Sequence, residues 1–191
     1  MPVNHRLFSA GLVLAATIAA ARVGAIPADR GEEPGLGGKG QPSAAANGRN
    51  SGAALMTSEE WRFLDLLNRE RATLHLSELK PDPLLVEVAR GHSREMCEKN
   101  YFDHVSPTPG ERTPMDRYLH ALHHRPAHAC VGENLFYCSI VDVERGHHAL
   151  MNSPGHRANI LYAPFRRGGI GIYKSETGEF WVTEMFLTTE G

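Results

Sequence analysis

Met151-Asn152-Ser153-Pro154-Gly155-His156-Arg157-Ala158-Asn159-Ile160-Leu161 is the densest stretch of the chain: a helix end, a break and a return to the core in one short run. Pro154-Gly155 interrupts the helical pattern that reaches Asn152, because proline lacks a backbone donor and glycine tolerates turns. The break presents His156, and Ile160 and Leu161 go back to the apolar interior. An imidazole displayed in this way can ligate a metal or shuttle protons.

Helical structure is expected upstream of this stretch, over residues 141–152, where His147 and His148 receive no role. Before it, Gly132-Glu133-Asn134-Leu135 sets a carboxylate inside an apolar stretch of Val131, Leu135, Phe136 and Tyr137. A lone Glu there needs a partner, either backbone donors or the other members of a site. Tyr101-Phe102-Asp103-His104-Val105-Ser106-Pro107 places His104 at a helix exit, beside two aromatics able to pack beneath it. His104, Glu133 and His156 can together ligate zinc or another divalent ion with water in an open position, although their separations match no short metal-binding pattern. His120, His123, His124 and His128 read as a solvated polar loop, since Pro126 prevents a common helical face.

Thr57 and Glu60 form a capping box ahead of Trp61, Leu64 and Leu67, so order is expected to begin there. That helix should stop before Pro81 and Pro83, and a second should start near Leu84, with Leu85, Val88, Ala89, His92 and Met96 on one face. A short helix is expected from Pro114 to Leu122 within an irregular crossing, and a short strand over residues 131–137. Residues 169–173 and 180–187 read as an antiparallel hairpin turning through Ser175-Glu176-Thr177-Gly178. Helices first and strands late describe a layered α+β domain without internal repeats.

The three motifs, in this order and spacing, resemble the CAP superfamily, which covers cysteine-rich secretory proteins, antigen 5 and the group 1 pathogenesis-related proteins. The run from Met151 to Leu161 resembles its bacterial SCP-domain branch, and Asn68, Arg71 and His92-Ser93 also fit. The resemblance covers residues 57–188 and implies a three-layer α-β-α sandwich, with a central, mainly antiparallel sheet and helices on both faces. It also implies a central cavity with two His and two Glu, carried over here as His104, Glu133 and His156. Ser153 stands near the fourth position, so neither a two-Glu acid/base pair nor a four-ligand metal shell is carried over. Leu150 replaces a usual Trp, and Glu184 stands where bacterial relatives often have Gln.

Arg6 followed by the weakly polar run Leu7 to Ala21 reads as an export signal, with cleavage after Ala21 or Ala25. The run is shorter than the roughly 20 residues a membrane-spanning helix needs, so no permanent anchor is expected and the chain is placed outside the cell or in the periplasm. Residues 26–56 are rich in Gly, Ala, Pro and Ser and read as a flexible tether, which leaves residues 57–191 as one domain. A formal charge of −2 gives no general attraction to nucleic acid. After export, Cys97, Cys130 and Cys138 allow at most one internal disulfide, and a bridge between Cys130 and Cys138 requires a turn. The favoured function is a monomeric, non-enzymatic module holding a divalent metal such as zinc, weakly, or a small, lipid or protein ligand in the cleft. The alternative is a hydrolase in which metal-bound or Glu133-activated water attacks while His104 or His156 donates protons.

Overall fold

The computed structural model describes residues 13–19, 56–123 and 126–189. Helix α1 (Ser58–Thr73) begins with the expected capping box: Thr57 accepts from the Glu60 amide, and Glu60 Oε2 accepts from the Thr57 amide at 2.7 Å. Helix α2 (Pro83–Glu98) starts one residue earlier than expected, because Asp82 caps the Leu84 and Leu85 amides and proline at the first helical position has no amide to satisfy. Its buried face carries Leu85, Val88, Ala89, His92 and Met96, as their spacing predicts. Helix α3 (Pro114–Leu122) is capped by Thr113 and Asp116.

Strand β1 (Val13–Ala19) and the two-residue β2 (Lys80–Pro81) flank β3 (Ala129–Cys138), β4 (Arg167–Lys174) and β5 (Phe180–Thr189) in the order β1-β3-β5-β4-β2. Every ladder is antiparallel except β2 against β4. Strand β1 falls within the expected export signal and pairs with residues 131–137 of β3. Both expected cleavage points, after Ala21 and Ala25, and residues 26–55 of the expected tether lie outside the described residues.

Helices α2 and α3 cover one face of the sheet, packing Leu85, Val88, Met115 and Tyr118 on Val131, Met185 and Leu187. Helix α1, with α4 (Val143–Asn152) and α5 (Pro154–Ile160), covers the other, around Phe63, Phe136, Phe180 and Phe186. The molecule is therefore an α+β sandwich with helices on both faces. Contact between α2 and β4 is backbone to backbone: a Cβ on Gly171 would lie 2.1 Å from the Arg90 amide nitrogen, and one on Gly169 2.4 Å from the Leu85 carbonyl carbon. Only glycine lets α2, and His92 with it, sit this low on the sheet.

Pro154-Gly155 breaks one helix, as the sequence indicates, but Pro154 then occupies the first turn of another, α5. Strand β3 is continuous through Gly132-Glu133-Asn134, where the turn needed for a Cys130–Cys138 bridge would have stood. Those cysteines lie near opposite ends of the strand, and Cys97, Cys130 and Cys138 are all free thiols. Among the described residues no helix is long and apolar enough to cross a membrane.

Candidate functional site

A carboxylate in mid-β3 organises the site. Successive side chains of a strand face opposite ways, so Glu133 points toward α2 and α3 while Asn134 points toward α5. Glu133 is fully buried, and each of its oxygens accepts a hydrogen bond: Oε1 from His104 Nδ1 at 2.7 Å, Oε2 from Arg117 Nη2 at 2.6 Å. Burial pushes this carboxyl up, but the Arg117 charge and the bond from His104 outweigh it and hold the group below its ordinary range. An ionised carboxylate only accepts, so His104 Nδ1 carries the proton of this hydrogen bond. His104 Nε2 is buried and finds no hydrogen-bond partner among the described residues.

The loop that carries His104 is pinned from three sides. His92 Nε2 donates to the Asp103 carbonyl at 3.1 Å and stands 3.9 Å from Glu133 Oε1. Arg117 Nη1 donates to the carbonyls of His104, Glu111 and Arg112, each at 3.2 Å. Tyr101 and Phe102, expected beneath His104, are engaged elsewhere: the Tyr101 hydroxyl donates to Glu95 at 2.6 Å, and the Phe102 ring lies against Tyr137 and Trp181. Burial lowers the pKa of His92, which favours its neutral form.

His156 belongs to the other side of the sheet. Its Nδ1 lies 2.7 Å from Ser153 Oγ, the hydroxyl that stands where the resemblance places a second carboxylate. Asn134 Nδ2 donates to the His156 carbonyl at 3.2 Å and to Glu184 Oε2 at 2.9 Å, while Asn159 Nδ2 donates to Asn134 Oδ1 and to the Glu133 carbonyl. Glu184 is fully buried, pushed up to about 7 by burial, and its Oε1 finds no partner among the described residues. The structure therefore joins His104 to Glu133 directly, whereas His156 connects to the same strand through Asn134 and Asn159. His147 faces α1, 3.6 Å from Glu70 Oε1, and His120 is a surface side chain 3.5 Å from Glu111.

Whether these residues fit a metal follows from the same bonds. A cation on Glu133 would meet the Arg117 guanidinium already paired with it at 2.6 Å, and Ser153 offers no charge in exchange. Among the described residues no group of three His, Cys, Asp or Glu side chains is arranged to hold a metal ion. As placed, Glu133 orients the imidazole of His104 and does not itself face an ion. The site residue that sequence reasoning missed is Arg117. Its signal was the lone Glu133, a buried carboxylate that required a cation, but nothing local to residues 114–122 designated which Arg would supply it.

A layered α+β fold with this His–Glu–Arg cluster defines a class of domain, and the comparisons agree on which. The cysteine-rich secretory protein family model, CAP, matches residues 64–186, and the chain belongs to that family. The uncharacterised protein YkwD of Bacillus subtilis is 35% identical over 141 residues, covering 74% of this chain and 51% of its own length. An extracellular SCP-domain protein of Bacillus anthracis superposes with a TM-score of 0.58 at 28% identity, over 76% of this chain and 45% of that one. An outer surface protein of Borrelia burgdorferi shares the fold with a TM-score of 0.60 at 20% identity, over 70% of this chain and 95% of its own. The chain thus spans about half the length of YkwD.

Proposed function

We propose that this chain is an exported, non-enzymatic CAP-domain module whose cleft takes a small or lipid-like ligand against His104. The observation that carries this reading is the state of His104: Nδ1 is held by Glu133 and Nε2 is buried without a partner among the described residues. Such a nitrogen accepts a hydrogen bond from a ligand hydroxyl, or binds a divalent cation such as zinc weakly through imidazole alone. Hydrolysis by a Glu133-activated water is less well supported, because both Glu133 oxygens are engaged and the group is held ionised by Arg117. Export rests on the apolar run from Leu7 to Ala21, and the Bacillus anthracis and Borrelia burgdorferi proteins are described as extracellular and outer-surface.

Calorimetry of the purified chain with zinc chloride near pH 7 should show weak uptake that His104→Ala abolishes and His156→Ala, across the sheet, leaves unchanged. Peptide and ester panels should show no turnover. Metal-dependent turnover that disappears in Glu133→Ala would reverse the reading in favour of an extracellular hydrolase.

A further inference from the structure

Arg117 is more than a partner for Glu133. Its guanidinium is enclosed by four oxygens: Glu133 Oε2 at 2.6 Å through Nη2, and the carbonyls of His104, Glu111 and Arg112 at 3.2 Å through Nη1. One carboxylate and three carbonyls around a positive charge, with the side chain only 4% exposed, are oxygens of the kind a hard divalent ion takes, four of its roughly six to eight ligands. The carbonyls belong to the loop carrying His104 and to the approach to α3, so the charge also fastens that loop to β3.

We propose that Arg117 is the resident cation of the cleft, occupying an all-oxygen position that would otherwise admit a divalent ion, and so determines the selectivity of the site. With Glu133 neutralised from within, the cleft offers an incoming ligand the imidazole of His104. It discriminates against hard cations and in favour of uncharged hydrogen-bonding groups. This deepens the ligand-cleft reading above and rests on it for the role of His104, while the cation cage is tested separately.

The test compares thermal unfolding of the full chain as wild type, Arg117→Lys, Arg117→Ala and Arg117→Ala/Glu133→Gln, each with and without millimolar calcium chloride or guanidinium chloride. Wild type should ignore calcium. Arg117→Ala should melt lower and regain about 5 °C or more in calcium, with guanidinium at low concentration acting in the same direction. Arg117→Lys should need neither. The double variant, which leaves no orphan carboxylate, should fold and show no calcium response. If Arg117→Ala folds only when calcium is present, the proposal is supported. Failure of calcium to stabilise or fold this variant overturns it, even where guanidinium succeeds, and so does an equal calcium response in wild type. Zinc uptake through His104 can fail without altering these outcomes, which separates this claim from the ligand reading.

Discussion

Two buried carboxyls, Glu133 and Glu184, lie close together in the fold and behave in opposite ways, because one has a guanidinium and the other only an amide. Glu133 remains charged; Glu184 is raised by burial to about 7. The folded state holds the Glu184 proton more tightly than the unfolded chain does. Its contribution to stability is therefore complete below the ordinary carboxyl pKa and is lost as pH rises through about 7. The displacement from 4.5 to about 7 corresponds to roughly 3 kcal/mol. Urea unfolding of wild type should thus weaken from about pH 5 to pH 8 by an amount of that order, relative to the always neutral Glu184→Gln. A wild-type-to-variant difference that does not change with pH would rule this out. Glu184 is also where sequence alone stops short: a carboxylate on a strand is visible there, but its face depends on the register against Asn134.

The elements show which parts of the fold are open to reading and which are not. Helices α1, α2 and α3 and the β4-β5 hairpin follow from caps, prolines and apolar spacing, all of them local signals. Helix α5 and the parallel β2 do not. A Pro-Gly pair serves equally as a break or a helix start, and a two-residue strand exists only through its neighbour β4. The close seat of α2 on β4 is likewise hidden, because glycines in an apolar run also read as ordinary strand residues. Gly171→Ala tests that seat. With a Cβ 2.1 Å from the Arg90 nitrogen the backbones must separate, which should lower stability by about 3 kcal/mol in chemical denaturation. A cost under about 1 kcal/mol would mean that α2 and β4 can move apart freely.

At the level of the whole molecule, a second buried arginine ties distant segments together. Arg71 of α1 donates to the carbonyls of Ser77, Ile160, Tyr162 and Phe165, fixing the exit of α5 and the approach to β4 against the first helix. Arg71→Met preserves apolar bulk but leaves these carbonyls without their donor. A loss of about 3 kcal/mol or more is expected in chemical denaturation, and a near-neutral result would show that water replaces the guanidinium. The sheet separates two chemistries, a charged carboxylate–guanidinium pair on the α2 side and amides with the raised Glu184 carboxyl on the α5 side, and Glu133-Asn134 is the peptide that joins them. Side chains along β3 alternate, so one residue deleted ahead of Glu133 would turn its charge toward Phe165 and Asn159 and leave Arg117 facing an amide. Changes of length are therefore tolerable in the loops and not in this strand, whose reading frame is guarded by the cost of a misplaced charge.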